Sequence, residues 1–227
     1  MMKKALLLSA SLLFSWQANA LTLGDLTQNT AGAGINAVLE QGADMAIKQL
    51  SQPGGYNNNP EVRIEIPGNI GKAAKTLKTM GLGKQINTLE QGINQAAEAS
   101  IPAVKQLLMQ SINQLTIADS KQILSGPNNS ATLYLEKTSR SQLKQQLLPK
   151  IQQATNQTGA LQQYNALAAQ ASSLGLLKQQ DTSLEGYITD QALDGLFKVL
   201  GDKEAYLREN PAEAATSAAS KLLDRFK

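Results

Sequence analysis

The sequence predicts an all-α fold, a single multi-helix domain with one short extended segment near Val62–Ile66. Apolar residues recur at spacings of three and four through most of the chain, which is the period of an amphipathic helix. Stretches rich in glycine, proline and asparagine separate these periodic segments. Only residues 62–66 alternate apolar and polar side chains, and no second alternating segment is present to pair with them. We therefore expect an extended arm over helices, or a short edge pairing, rather than a sheet.

Residues 1–20 have the form of a cleavable signal peptide. Lys3 and Lys4 precede an uncharged stretch at 5–16, and Ala18-Asn19-Ala20 supplies the cleavage pattern of two small residues around any third. The apolar stretch is shorter than the roughly 20 residues that a membrane-spanning helix needs. We therefore expect cleavage after Ala20, a periplasmic location, and a soluble mature chain that does not span the membrane.

The composition excludes several classes of function. The chain has no histidine, so it lacks the usual general base near neutral pH and the commonest metal ligand. It has no cysteine, so disulfides and cysteine nucleophiles are also excluded. Two of its 21 lysine and arginine residues lie in the predicted signal peptide and none of its 18 acidic residues do, which leaves a net charge of +1. A near-neutral surface argues against nucleic acid as a partner, because phosphate binding needs a clustered basic face.

The helical domain is predicted to begin near Ile35. Residues 21–34 are rich in glycine and threonine and have weak apolar periodicity, which indicates a flexible lead-in to a single helical domain at 35–227. The first helix is predicted to run from Ile35 to about Leu50. The segment 51–60 is dense in turn-forming residues and is expected to end that helix.

Helical periodicity returns after the extended segment, and turn-forming residues divide it. The segment Gly81-Leu82-Gly83 interrupts it, and Pro102 suits the first turn of a helix. Thr116 with Asp119 resembles a capping box, and Pro149 is expected to kink a helix or to start a new one. Helices are predicted over 69–80, 86–97, 102–115, a short one ending at 124, then 133–135, 143–151 and 161–171.

Two helices are predicted at the C-terminal end. Thr189 is expected to cap the first, which carries an apolar stripe at 193–200. In Asn210-Pro211-Ala212-Glu213, an N-cap residue, a first-turn proline and a third-position acid occur in order, which predicts the start of a terminal helix. The stripe of that helix extends over 215–226, and we expect it to dock on the stripe at 193–200 of the same chain.

Several groups of residues, spread over nearly the whole chain, carry a family resemblance. They are Gly55-Tyr56 with Asn59 and Val62-Arg63-Ile64; Leu82-Gly83 with Asn94, Ala96-Ala97-Glu98 and Pro102; Asp119 with Ile123-Leu124-Ser125-Gly126; Ala131-Thr132 with Tyr134; and Tyr187-Ile188-Thr189 with Ala192-Leu193-Asp194-Gly195-Leu196-Phe197. As a set they resemble the bacterial family catalogued as domain of unknown function 4197. The resemblance implies a helical, exported protein, and it implies no activity.

The loop after the first helix is the main candidate for a recognition surface. Tyr56, Asn57 and Asn59 give it amide groups and an aromatic ring, and exposed loops of this kind often carry binding residues. Arg63 follows on the polar side of the extended segment, where it could bind an anionic group. The alternatives are a turn closed by its own asparagine side chains, and an ion pair between Arg63 and a carboxylate such as Glu98.

Asp190 and Asp194 are the candidates for carboxylate chemistry. They lie four residues apart, which places them on one helical face beside Tyr187. Paired carboxylates could hold a divalent cation, or act as acid and base on a glycan. No calcium-loop pattern is present, and acidic residues near a helix start are favoured by its dipole. We therefore expect a structural role for the pair, with no metal and no cofactor.

We expect a non-catalytic periplasmic binding or scaffold protein, with an envelope protein as partner and the loop with Arg63 as the contact surface. The missing catalytic groups and the near-neutral helical body favour this hypothesis. One alternative is a carrier of an apolar ligand such as a lipid, held in a cavity between helices. The other is a carboxylate-based hydrolase that acts on an envelope polymer. The sequence leaves the oligomeric state open.

Overall fold

In the computed structural model, helices of seven to 28 residues account for most of the chain. The structure describes residues 28–224, with gaps at 117–118, 120–122, 124 and 177–182. The α-helices in that part are α1 (Gln28–Leu50), α2 (Gly68–Leu77), α3 (Gly83–Ser100), α4 (Lys105–Asn113), α5 (Ser130–Gln157), α6 (Ala160–Ser173), α7 (Leu184–Glu209) and α8 (Ser217–Leu223). The described residues contain no strand, so the all-α prediction is confirmed. The predicted signal peptide lies outside the described residues.

The core lies between the long helices. α5 packs along α7, and α7 packs along α1. α3 lies against α5 and α6, and α4 lies against α1 and α5. The stripe predicted at 193–200 is buried in this core, and one continuous apolar cluster joins the helices into a single domain. None of the described helices combines the length and the apolar character needed to cross a membrane.

The first helix begins at Gln28, earlier than predicted. The glycine-rich stretch that was expected to be a flexible lead-in is helical from that residue onward. Gly34 faces α8, and a Cβ at this position would lie 2.8 Å from Cδ2 of Leu222. The missing side chain lets two helices approach closely, so this glycine marks a helix contact rather than a linker.

Residues 62–66 form an extended arm, which confirms the first of the two predicted arrangements. Val62, Ile64 and Ile66 are buried, while Arg63 and Glu65 are exposed. The alternation of the sequence therefore corresponds to one face against the helices and one face in solvent.

Asn94, in α3, takes the place of a neighbouring strand. Its Oδ1 accepts a hydrogen bond from the N–H of Ile64 at 2.9 Å, and its Nδ2 donates to the C=O of Ile64 at 2.8 Å. Nδ2 also donates to the C=O of Glu90 within α3. The Asn94 side chain is fully buried, so these bonds satisfy polar groups that water does not reach.

Pro149 does not start a new helix. α5 continues through it from Ser130 to Gln157. Leu143, Leu147 and Ile151 are buried on one face of this helix, on both sides of the proline. We infer that their burial offsets the single backbone hydrogen bond that the proline removes.

The starts of α7 and α8 differ from the predicted caps. Ser183 caps α7, with its Oγ accepting from the N–H of Gly186 at 3.1 Å. Thr189 lies inside the helix, buried, with its hydroxyl donating to the C=O four residues earlier. The segment Asn210-Pro211-Ala212-Glu213 begins only a short 3₁₀ turn, and Thr216 caps α8. The pattern therefore located both helices but placed their first residues incorrectly.

α8 docks within its own chain, as predicted, but mainly on α1 rather than on the stripe at 193–200. Part of it forms a small apolar cluster with Val38 of α1 and Leu207 of α7. Its buried residues are Ala219, Leu222 and Leu223. Phe226, predicted at the end of this stripe, lies outside the described residues.

Candidate functional site

The 51–60 loop is folded against the body of the protein. Tyr56 is fully buried, and its hydroxyl donates a hydrogen bond to the C=O of Ala192 in α7 at 2.6 Å. Burial raises the pKa of Tyr56 well above its usual value, and the carboxylates of Glu98 and Asp194 raise it further. The expected exposure of Tyr56 is therefore wrong, because its ring anchors the loop from inside.

Gly195 makes room for the ring of Tyr56. A Cβ at this position of α7 would lie 2.6 Å from Cε1 of Tyr56 and 3.2 Å from Cβ of Val62. Contacts that short would force one of the groups to move. The loop and the arm therefore both pack directly on the backbone of α7.

Glu98, in α3, holds the loop backbone. It is 5% exposed, and its Oε1 accepts hydrogen bonds from the N–H groups of Tyr56 and Asn57, both at 3.0 Å. The predicted ion pair between Arg63 and a carboxylate is present, but the partner is Glu90, at 3.0 Å, instead of Glu98. Arg63 is exposed, and an ion pair at such a position contributes little to stability. The buried glutamate therefore does more than the arginine to fix the loop.

The two asparagines predicted as binding residues differ in their roles. Asn59 closes the turn, since its Oδ1 accepts from the N–H of Glu61 at 3.1 Å and its C=O accepts from the N–H of Arg63 at 2.9 Å. Asn57 is half-buried, and its Nδ2 donates to Oδ1 of Asn58 at 3.2 Å. Its own Oδ1 is shielded from solvent and has no hydrogen-bond partner in the described part of the chain. Asn57 therefore keeps an acceptor that the loop does not use.

An open groove of about 480 Å³ lies between the loop and α3. Polar side chains form much of its lining, with small apolar residues between them. The lining residues are Ser51, Pro53, Gly54, Asn57, Asn58, Gln95, Glu98 and Ala99. Of the four predicted binding residues, Asn57 lines this groove, whereas Tyr56, Asn59 and Arg63 support the loop around it.

Asp190 and Asp194 are paired with cationic side chains of α5. Nζ of Lys144 lies 2.8 Å from Asp190, and Nη2 of Arg140 lies 2.5 Å from Oδ1 of Asp194. Tyr187 is half-buried, and its pKa is raised first by burial and then by neighbouring carboxylates. The two aspartates therefore link α7 to α5.

Asp194 also lines a second groove, of about 380 Å³, between α5 and α7. The other charged residues of that groove are Glu136, Lys198 and Asp202. Arg140 bridges Glu136 and Asp194, and Lys198 contacts Asp202 at 2.6 Å. Each carboxylate of this groove therefore has a cationic partner. Across the described ranges, acidic side chains do not gather in groups of three that could hold a metal ion.

Glu204, which sequence analysis did not single out, joins α7 to the start of α5. It is 1% exposed, and its carboxylate accepts from the N–H groups of Ala131 and Thr132 at 3.1 and 2.8 Å. The Thr132 hydroxyl and the Arg208 guanidinium also donate to it, at 2.7 and 2.8 Å. Glu204 thus caps the first turn of α5 from another helix. In the sequence, Glu204 and Arg208 have the spacing of a surface ion pair, so no local signal indicates their burial.

We expect Glu204→Gln to lower the free energy of unfolding by about 1 to 3 kcal/mol, because an amide group would face buried donors and leave one of them without an acceptor. Urea denaturation followed by circular dichroism measures the change. Glu209→Gln is the matched control, since Glu209 is exposed on the same helix and should change stability by no more than about 0.5 kcal/mol. Equal stability of the two variants would contradict the capping role.

Comparison with known protein families matches residues 25–224 to the family described as protein of unknown function (DUF4197). The chain belongs to this family. The match confirms the resemblance that the motifs predicted. No curated protein and no solved structure matches the chain.

In this DUF4197 member, several residues of the family motifs support the loop. Tyr56 fills the space over Gly195, Glu98 binds the loop backbone, and Asn94 binds the arm. Thr132, from another of the motifs, contributes to the Glu204 cap. These contacts give the motif residues a structural role in holding the loop, the arm and the start of α5.

Proposed function

We propose that this chain is an exported, non-catalytic binding or scaffold protein of the bacterial envelope, and that its contact surface is the groove between the 51–60 loop and α3. The main support for this proposal is that the loop is fixed in place. Glu98 and Tyr56 hold its backbone from inside. Asn58 and Gln95 are exposed at the groove. A surface held in place before binding loses little conformational entropy on binding. The location follows from the signal-peptide pattern of residues 1–20.

The ion pairs of α7 favour binding over hydrolysis. A carboxylate that acts as a base or nucleophile must reach its substrate. Asp190 and Asp194 each contact a cationic side chain of α5 within 2.8 Å. A substrate would have to displace that cation first, and the link between the two helices would be lost.

The packing between α1 and α8 does not favour a lipid carrier. The space left there has a volume of about 10 Å³ and is lined mainly by apolar side chains such as Ile35, Val38 and Leu222. A space of that size accommodates about one water molecule. An acyl chain would require these helices to separate.

Photo-crosslinking in bacterial cells tests the contact surface. A photoreactive amino acid is placed at Asn58, and in a parallel variant at Asn165, an exposed asparagine of α6. We expect a discrete adduct of higher mass from position 58 after irradiation and none from position 165. Adducts of equal yield from both positions, or adducts from neither, would overturn the proposed surface.

A further inference from the structure

Two buried glutamates, Glu98 and Glu204, have different surroundings. Glu204 has donors at both carboxylate oxygens, and one of them is the guanidinium of Arg208. Glu98 has two backbone N–H donors at Oε1. In the described part of the chain, its Oε2 has no hydrogen-bond donor and the carboxylate has no cationic partner. Glu98 therefore keeps one oxygen that no donor of the described residues occupies, whereas both oxygens of Glu204 are occupied.

Glu98 forms part of the wall of the groove beside the loop, and 5% of its surface remains exposed. Asn57 lines the same groove, and its Oδ1, which is shielded from solvent, has no hydrogen-bond partner in the described part of the chain. Arg63, the cationic residue of the arm, is engaged by Glu90. Of the residues that line the groove, only Glu98 is charged, so the lining contributes a negative charge and no cation.

We propose that this groove binds a primary ammonium group, with Oε2 of Glu98 as the main acceptor. The inference rests on the proposed function and names the chemistry that its contact surface recognises. A guanidinium binds a carboxylate best through two parallel hydrogen bonds, one to each oxygen. Oε1 of Glu98 is already occupied by two backbone donors. An ammonium donates to a single oxygen and therefore suits the one that remains.

The ammonium group has two possible sources, a lysine side chain of a partner protein and a free alkylamine. Nuclear magnetic resonance titration of the purified protein distinguishes them with three probes: a capped Gly-Lys-Gly peptide, the matching Gly-Arg-Gly peptide, and butylammonium. We expect the lysine peptide to shift the amide signals of Asn57, Asn58 and Gln95, and to bind roughly tenfold more tightly than the arginine peptide. Butylammonium binding as tightly as the lysine peptide would assign the site to free amines.

Glu98→Gln tests the acceptor without removing the support of the loop. Its amide oxygen can still accept from Tyr56 and Asn57, while its NH₂ group replaces Oε2 and repels an ammonium. We expect it to weaken lysine-peptide binding by roughly tenfold or more. Glu61→Gln is the matched control, because it removes the same charge next to the loop but outside the groove lining, and we expect no change in binding.

Gln95→Lys provides a second variant that does not depend on Glu98→Gln folding. It places a tethered ammonium three residues before Glu98 on α3. We expect it to raise the melting temperature and to block the lysine peptide.

Three results would overturn the ammonium site. They are equal binding of the lysine and arginine peptides, an equal loss of binding in Glu98→Gln and Glu61→Gln, and no binding of the lysine peptide to the wild-type protein. If crosslinks form from position 58 but any of these three results is found, the groove is still the contact surface for a partner. The proposal that it binds an ammonium group is then rejected. Lysine binding that depends on Glu98, without crosslinks from position 58, would support the ammonium site and reject the proposed protein partner.

Discussion

Deletion of residues 211–227 is expected to lower the free energy of unfolding of the monomer by roughly 3 to 6 kcal/mol. The deletion removes α8, in which Leu222 and Leu223 are almost fully buried. Each buried leucine contributes about 1.5 to 3 kcal/mol relative to an exposed one. A domain of this kind has a total stability of about 5 to 15 kcal/mol, so the truncated chain should lose much of it. Urea denaturation measures the loss, and binding of an apolar dye reports the surface uncovered on α1.

Single substitutions in α8 provide the control for this deletion. Leu222→Ala should reproduce part of the loss, about 2 to 5 kcal/mol, whereas Lys221→Ala, at an exposed position, should have almost no effect. A truncated protein that melts at the wild-type temperature and loses an oligomer would instead show that α8 serves a contact between chains.

Tyr56→Ala is expected to destabilise the protein by about 3 to 5 kcal/mol, the range observed when a large buried aromatic side chain is truncated. Tyr56→Phe should cost only about 1 kcal/mol, because it keeps the ring and removes the hydrogen bond to Ala192. Chemical denaturation monitored by circular dichroism measures both losses.

Tyr206→Ala controls for the loss of any tyrosine, since Tyr206 is 41% exposed, and we expect a change below about 1 kcal/mol. A large loss of stability in Tyr56→Ala and a small one in Tyr206→Ala would show that Tyr56 anchors the loop in the core and is not a surface contact residue. If Tyr56→Ala kept wild-type stability, the ring would not anchor the loop, and its burial would need another explanation.

The helices could be predicted from the sequence because apolar periodicity directly reports which face of a helix is buried. The extended arm could be predicted for the same reason, since Val62, Ile64 and Ile66 alternate with exposed residues. Helix starts were less predictable. Gly34 lies in a glycine-rich segment that resembles a linker. Its role as a helix contact depends on Leu222, which is distant in the sequence.

The candidate site was predicted only in part. The sequence located the loop, but it could not show that Tyr56 turns inward, because the space for its ring comes from Gly195 in another helix. The sequence offered Glu98 as a residue of the family resemblance and as a partner for Arg63, but not as a support for the loop, and it gave no sign of Glu204. Burial of a charged side chain is decided by backbone donors elsewhere in the chain, so spacing within one helix does not reveal it.

The hydrogen bonds between Asn94 and the backbone of the arm also affect how readily the chain can associate with other copies of itself. An uncovered segment that alternates β-branched residues, as 62–66 does, is a template for pairing with other chains. In the folded protein Asn94 occupies both the N–H and the C=O of Ile64, so the backbone of that residue offers nothing to a second copy. Ile64 precedes Asn94 in the chain and leaves the ribosome first. The arm therefore stays open to other chains until α3 has been made and has folded against it.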